Sequence, residues 1–345
     1  MVKRGKRNRL NPMLFAQHIG KWLRRRVALS QVLLWICFFV PLAGNAAAIE
    51  IVLSSEGDEY HQVANQIRAG LRDSRHYHES LEIKLAQSLD ADSGNLPLQD
   101  SKLVVAVGVR ALKKVLDGPV DFPVYAVLVP CASYDKLLDD LDSSGRGALK
   151  HYLSALYLDQ PPKRQLELVK ALGGDRFRVV GMLLAEKSDV DIKPLVAQAK
   201  RLDIELRDIR VAGSRDIVPT LKRAQRKIDM LLTMFDPSLI NTQTIKQILY
   251  FSYHRRLPVL GYSQAMVKAG ALAAIYSTAE QVGRHAAEEI VAALDHEPLR
   301  LPPRSFPKYY QVTCNSAVAD YFNLQADCAL QSLSHPGPES RSGAQ

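Results

Sequence analysis

The sequence predicts an α/β protein with parallel sheets that is divided into two lobes. Short apolar runs alternate with amphipathic segments almost from end to end, which is the pattern of repeated strand–helix–strand units. Glycine and proline residues separate these segments. The 297 residues that follow an N-terminal leader, described below, exceed the length that one core usually serves. We therefore expect two lobes, each built around its own sheet.

The first half begins with alternating strands and helices. Val63, Ile67 and Leu71 recur every four residues and predict a helix after the first strand. Uninterrupted apolar runs of three to six residues predict strands. The predicted strands are 51–53, 103–107 and 124–129, and the predicted helices lie around 63–71 and at 109–116.

The second half repeats this alternation. The predicted strands are 179–184, 204–211, 230–234 and 309–313, and the predicted helices lie around 195–202, before Leu221, around 245–249 and along 282–290. Pro161 and Pro162 mark the start of a further helix, and Gly173 and Gly174 mark its end. Residues 332–345 are rich in Ser, Gly and Pro, and we expect this tail to be disordered.

Residues 1–48 have the three parts of a signal peptide. Nine Lys and Arg and no acidic residue are followed by an uncharged apolar run, and the segment ends on three alanines, Ala46 to Ala48. We expect cleavage after Ala48 and a periplasmic protein. The alternative is an uncleaved anchor, since residues 27–49 are about long enough to span a bilayer. Pro, Gly, Asn and Ala in the second half of this stretch favour cleavage.

The charge of the chain depends on this leader. Removing its nine basic residues leaves 36 Lys and Arg against 36 Asp and Glu, so the mature protein is formally neutral. A neutral chain has no excess of cations with which to neutralise phosphates. Nucleic acid is therefore excluded as a partner.

Three cysteines follow the leader: Cys131, Cys314 and Cys328. In an oxidising compartment Cys314 and Cys328 could form a disulfide, because they flank one predicted helix. The alternative is that all three are small buried apolar residues.

Motifs for catalysis and for cofactor binding are absent from the sequence. It contains no Gly-rich dinucleotide motif, P-loop, serine nucleophile elbow or His-Glu-x-x-His. His76 and His78 could hold a metal, but two exposed loop histidines are the better interpretation. We expect a protein that is not an enzyme and that binds no cofactor.

Small and polar residues follow several predicted strands. Because the carboxyl ends of parallel strands line the ligand crevice of α/β proteins, we predict a binding site there. Taken singly, each of these residues could instead be a helix cap or a turn residue. The candidate site residues are Ser54, Ser55, Glu56, Gly108, Val109, Arg110, Pro130, Ala185, Glu186, Asp236, Tyr262 and Ser263.

Several segments carry a resemblance to a known family. They are LDQPP at 158–162, VVGMLL at 179–184, PVLGYS at 258–263 and VKAGALAAIYS at 267–277. The chain resembles the ABC-type substrate-binding family that includes tryptophan- and tyrosine-binding proteins. The likeness covers roughly residues 50 to 325.

This resemblance implies a type I periplasmic-binding-protein fold, with two Rossmann-like lobes joined by three crossovers. The N-terminal lobe is then expected to consist of residues 49–152 and 272–303, and the C-terminal lobe of residues 153–271 and 304–331. The ligand is held between the lobes, and closure traps it.

The chain departs from the family at two positions of the first lobe. Val109 stands where the family has Thr or Ser after glycine, and Val129 stands where it has Asp before proline. The replacement of two polar contacts by apolar groups favours either a more apolar ligand than an amino acid or a weakened site. A charged ligand head would still need partners, for which Arg110 and Glu56 are the candidates.

Two functions fit these expectations. The first is the solute receptor of an ABC importer, whose partners are a small ligand and a membrane permease. The second is a periplasmic sensory subunit that binds a membrane signalling protein and transports nothing. A transcription repressor of the same fold would need a DNA-binding segment where the leader stands.

Overall fold

The computed structural model describes residues 49–89, 98, 101–186, 188, 192–236, 239–324 and 335. The predicted leader, Cys328 and most of the predicted tail lie outside these residues, so signal-peptide cleavage and the Cys314–Cys328 disulfide stay predictions. Within the tail, the backbone of His335 pairs with that of Tyr310 in both directions, at 2.8 and 2.9 Å. The prediction of disorder is wrong at this residue. Among the described residues, no helix has the length and apolarity needed to cross a membrane.

The first sheet consists of five parallel strands: β1 (Ile49–Leu53), β2 (Leu81–Leu85), β3 (Leu103–Val107), β4 (Val124–Val129) and β5 (Leu153–Tyr157). Their order is β2-β1-β3-β4-β5. Every residue of the central strands β1 and β3 is buried. The uninterrupted apolar run of β3 is characteristic of strands that are covered by helices on both faces. In β1 the buried Glu50 interrupts the run.

The second sheet consists of six strands: β6 (Val179–Ala185), β7 (Glu205–Val211), β8 (Met230–Thr233), β9 (Val259–Gly261), β10 (Ala273–Tyr276) and β11 (Gln311–Cys314). Their order is β11-β10-β9-β8-β6-β7. All are parallel except β11, which pairs antiparallel with β10. The edge strand β7 alternates charged and apolar residues, which protects an exposed edge from further pairing.

Ten α-helices cover the sheets in the described part of the chain. They are α1 (Asp58–Arg72), α2 (Val109–Asp117), α3 (Cys131–Ser143), α4 (Pro162–Gly173), α5 (Lys193–Arg201), α6 (Ile217–Ala224), α7 (Thr242–His254), α8 (Gln264–Lys268), α9 (Ala279–Leu294) and α10 (Ser316–Tyr321). Together with the strands they confirm the predicted fold class, two α/β lobes with parallel sheets.

The sheet pairing places two lobe boundaries five residues later than the sequence predicted. Residues from 153 were assigned to the second lobe, but β5 pairs with β4 of the first sheet. Residues from 272 were assigned to the first lobe, but β10 pairs with β9 of the second sheet. The chain therefore passes from the first lobe to the second only after Tyr157, and it leaves the second lobe only after Tyr276.

Helix α9 returns the chain to the first lobe. Its buried residues Val282, Ala286 and Ile290 join the core around β1 and β3. The approach to α1 is close, because a Cβ on Gly283 would lie 2.9 Å from the carbonyl oxygen of Val63. Beyond α9, Ser305 pairs with Ala155 and Tyr157 of β5 before the chain enters β11 of the second sheet. The chain therefore crosses between the lobes three times.

Candidate functional site

Ser54 and Gly108 lie side by side at the carboxyl ends of β1 and β3. The Ser54 hydroxyl is buried, donates to the Val107 carbonyl at 2.9 Å and accepts from the Ala111 amide at 3.0 Å. Gly108 has φ +90°, and a Cβ there would lie 2.5 Å from the Ser54 oxygen. These two residues bind strands β1 and β3 and helix α2 to one another. They lie at the strand ends where the sequence predicted a site, and the hydroxyl of Ser54 is already engaged.

The exposed groups at this edge are Ser55, Glu56 and Arg110. The Glu56 carboxylate contacts His61 at 2.8 Å. Val109 is half-buried and packs against the first-lobe core, so its methyl groups replace the hydroxyl that the family resemblance implied. Arg110 and Glu56 remain the charged candidates on this lobe.

The end of β4 contains an irregularity. The strand register shifts between Val127 and Val129, and Leu128 adopts φ +57°. Pro130 is buried and precedes α3, which has no cap from its own side chains. Asp159, from the first crossover, supplies that contact by accepting the Cys131 amide at 2.6 Å. A carboxylate from another segment therefore takes the place of a local helix cap.

Asp159 and Cys131 both titrate far from their ordinary values. Burial is the main cause for each: it raises the pKa of the Asp159 carboxyl to about 6 and that of the Cys131 thiol to about 12. Asp135, 3.5 Å from the Cys131 sulfur, raises both values further. The Cys131 thiol is therefore protonated at neutral pH and a poor nucleophile.

In the second lobe, Phe235 and Tyr262 follow strands β8 and β9. Their rings contact edge to face with centroids 5.3 Å apart, and both side chains are half-buried. Burial raises the pKa of the Tyr262 hydroxyl. Beneath them, the fully buried Thr233 donates to the Leu260 carbonyl at 2.9 Å and holds β8 against β9. The pair presents an aromatic surface at the strand ends.

The remaining predicted residues of this lobe have varied roles. Ser263 caps the short helix α8 by accepting from the Met266 amide at 3.3 Å. Ala185 ends β6, and the exposed Glu186 follows it. The half-buried Asp236 lies next to Phe235, and its carbonyl accepts the amides of the turn that follows. The N-cap of α7 is Asn241, so Asp236 does not cap that helix.

Sequence reasoning missed the contacts that join the crossovers. Gln160 donates to Ser277 at 2.7 Å, and Ser277 donates to the Tyr309 carbonyl at 2.6 Å. One hydrogen-bond chain thus links all three crossover segments. Arg164 donates to Gln160 at 3.0 Å and lies 4.3 Å from the ring of Tyr310. The only hint in the sequence was Gln160 between Asp159 and two prolines.

A shallow cavity of about 560 Å³ lies at the opposite edge of the first sheet. Its lining includes Pro123, Leu153 and Arg300. Pro123 and Leu153 stand at the starts of β4 and β5, so the cavity lies away from the strand ends that carry the candidate site.

Two α/β lobes joined by three crossovers define the class of type I periplasmic binding proteins. Residues 151–326 match the family described as ABC transporter substrate binding protein, and the chain belongs to this family. The match includes the second lobe and the three crossovers. No curated protein matches the sequence.

Solved structures support the fold. A Streptococcus pneumoniae ABC domain in complex with L-Trp aligns with a TM-score of 0.56 at 16% identity, covering 85% of this chain and 99% of that one. A conserved domain protein from Vibrio cholerae aligns with a TM-score of 0.57 at 16% identity, covering 85% of this chain and 99% of that one. The ligand-free, open structure of a substrate-binding protein with adhesive properties from Clostridium difficile aligns with a TM-score of 0.59 at 15% identity. The alignment covers 83% of this chain and 97% of that one. At these identities the likeness establishes the architecture.

Proposed function

We propose that the protein captures a small solute between its lobes for an ABC importer and acts in the periplasm without catalysis. The observation that supports this most strongly is the position of Phe235 and Tyr262, a half-buried aromatic pair at the strand ends of the second sheet. Parallel α/β sheets bind ligands at these ends. The protonated Cys131 thiol agrees with a binding role, since it is poorly suited to nucleophilic attack.

The surfaces of the two lobes suggest the chemistry of the ligand. On the second lobe, Tyr262 offers a ring face and Asp236 offers a carboxylate. On the first lobe, Val109 and Pro130 are apolar, and Arg110 is the exposed cation. We propose a ligand with a flat apolar body and one charged or polar head. The L-Trp bound by the Streptococcus pneumoniae ABC domain has such a flat apolar body, but its head is a zwitterion.

Native mass spectrometry of freshly purified protein should identify the ligand, and calorimetry should then measure its affinity. Asp236→Ala should weaken binding about tenfold or more, because a desolvated hydrogen-bond partner contributes ~1–3 kcal/mol. Asn241→Ala is the matched control: it removes the capping box of α7 and should lower the melting temperature without changing affinity. Unchanged affinity in Asp236→Ala would remove this residue from the site.

Measuring ligand uptake by cells distinguishes the importer hypothesis from the sensory hypothesis. Cells that lack the protein should lose high-affinity accumulation of the radiolabelled ligand if it serves an importer. Normal uptake with a lost transcriptional or enzymatic response to the ligand would favour the sensory hypothesis instead.

A further inference from the structure

The two lobes carry opposite charge. Residues 49–157 and 278–306, which belong to the first lobe because Ser305 pairs with β5, contain 14 Lys and Arg and 21 Asp and Glu, so their net charge is −7. Residues 158–277 and 307–345 contain 22 Lys and Arg and 15 Asp and Glu, so their net charge is +7. The formal neutrality of the mature chain therefore conceals a strong separation of charge, which directs each lobe toward different partners.

The positive charge collects at one edge of the second sheet. Consecutive cations precede three of its parallel strands by three to five residues. We call these six residues the basic edge: Lys200 and Arg201 before β7, Arg226 and Lys227 before β8, and Arg255 and Arg256 before β9. In the order β9-β8-β6-β7 these strands span three strand spacings, about 15 Å. Since all of them run parallel, their starts lie together at the edge opposite the ligand crevice.

The basic edge is exposed and forms no ion pair with another described residue. All six side chains are exposed, and within the described residues none has a carboxylate within 4.0 Å. Other cations near this edge are paired: Arg178 lies 3.9 Å from Asp175, and Arg207 lies 2.7 Å from Glu205. Helix dipoles account for cations at helix ends. They do not account for the lack of ion pairs at these six positions.

Exposed tyrosines lie beside the basic edge. Tyr250 and Tyr253, on the last turns of α7, are 70% and 51% exposed. Tyr253 stacks on Tyr321 of α10 at 4.3 Å, and the guanidinium of Arg256 lies 5.7 Å from the Tyr321 ring. Tyrosines beside Lys and Arg are typical of protein surfaces that lie at the headgroup level of a membrane.

We propose that the basic edge and its neighbouring tyrosines bind a surface of anionic phospholipid. The charge of the edge is complementary to phosphate headgroups, and the tyrosine rings provide the amphipathic contacts that the interface favours. The family works beside a membrane transporter, so such a surface is within reach. Binding through this edge leaves the carboxyl strand ends, at the other side of the sheet, free for ligand.

Vesicle flotation tests this proposal with the exported protein. Vesicles of phosphatidylcholine alone are compared with vesicles containing about one third phosphatidylglycerol, each in 0.1 M and 1 M NaCl. The protein should float with the anionic vesicles only and should be released at 1 M, where the Debye length falls from about 10 to about 3 Å. Equal binding to both vesicle types, or no binding to the anionic vesicles, would overturn the proposal. An acidic protein partner would then be the remaining occupant for this edge.

Matched variants locate the surface. The triple variant Lys200→Gln, Arg226→Gln and Lys227→Gln should lower the partition coefficient on the order of 100-fold, since each cation near an anionic surface contributes about fivefold. The control carries the same loss of charge at exposed first-lobe positions: Arg68→Gln, Lys113→Gln and Lys136→Gln. All variants share one N-terminus, so any contribution of the leader cancels. An equal loss in both triple variants would show that only net charge matters and would refute a site at the basic edge.

Discussion

Asp159 shows how a single residue can link the two lobes. Its carboxylate caps a first-lobe helix, α3, although it belongs to the crossover that leads to the second lobe. Val129 stands where the family resemblance placed an aspartate at the end of β4, and Asp159 supplies a carboxylate to the same helix end. This arrangement desolvates the acid, which is why the Asp159 pKa rises to about 6.

Asp159→Asn should stabilise the protein at pH 7. The folded pKa of about 6 exceeds the ordinary value of 3.8, so the parent loses stability as the pH rises between these values. Asparagine keeps an oxygen for the Cys131 amide and carries no charge. The free energy of unfolding of the variant should therefore exceed that of the parent by up to about 3 kcal/mol at pH 7, and the difference should vanish below pH 4. Urea unfolding of both proteins at several pH values measures this difference.

Asp175→Asn is the control, because the pKa of Asp175 is lowered whereas that of Asp159 is raised. Lys170 donates to this exposed carboxylate at 3.0 Å and lowers its pKa. Its stabilising effect is present above the unfolded pKa and is lost in acid, so this variant should be no more stable than the parent at pH 7. If Asp159→Asn shows no advantage at pH 7, the Asp159 carboxylate is not desolvated.

Gly108→Ala should destabilise the first lobe through two separate effects. The left-handed backbone at φ +90° disfavours a side chain, and the new Cβ would lie 2.5 Å from Ser54 and 2.7 Å from Tyr60. We expect a loss of roughly 2–4 kcal/mol in the free energy of unfolding. Gly145→Ala is the control, since Gly145 has φ +74° with open space around it and should lose only about 1 kcal/mol. Equal losses would mean that the crowding at Gly108 is relieved without cost.

At the scale of elements, the crossovers form one polar unit. Gln160, Ser277 and the Tyr309 carbonyl each lie on a different crossover, and their hydrogen bonds connect the three segments. Gln160 is only 3% exposed, so water cannot easily replace its partner.

Ser277→Ala should therefore lower the free energy of unfolding by ~1–3 kcal/mol, because it leaves the buried Gln160 amide without its acceptor. Ser88→Ala is the control: its hydroxyl donates to the Leu85 carbonyl at 2.7 Å but is exposed. Removing it should change stability by less than about 0.5 kcal/mol. Similar losses in both variants, measured by urea unfolding, would contradict a special role for the crossover chain.

The sequence predicted several strands with a strong apolar pattern, but it missed β10, which is apolar, and the two strands with a mixed pattern. Strands β3 and β4 begin and end where predicted, because their residues are uniformly apolar. Strand β2 was missed: it lies at the sheet edge and mixes Glu82 and Lys84 with apolar residues. Strand β5 was missed as well, since Ser154 interrupts its apolar run.

At the scale of the whole molecule, the predicted cleavage of the leader would remove nine basic residues. The two lobes of the remaining chain balance each other at −7 and +7. We predict that periplasmic protein begins at Ile49, which is the first residue of β1 and fully buried. Intact-mass measurement of exported protein tests this directly. Recovery of the full-length chain from membranes would show instead that the leader remains as an anchor.

The sequence by itself determined the fold class, the family and the strand ends that carry the candidate site. Each of these depends on local patterns: apolar runs, helical spacing and short motifs such as PVLGYS. Only the tertiary structure decided which sheet receives β5 and β10, that Ser54 and Ser263 are already engaged, and that Asp159 caps α3. It also brought three pairs of cations to one edge. The physical reason is that strand pairing, capping and charge clustering join residues far apart in the chain, and local patterns contain no record of which distant segments meet.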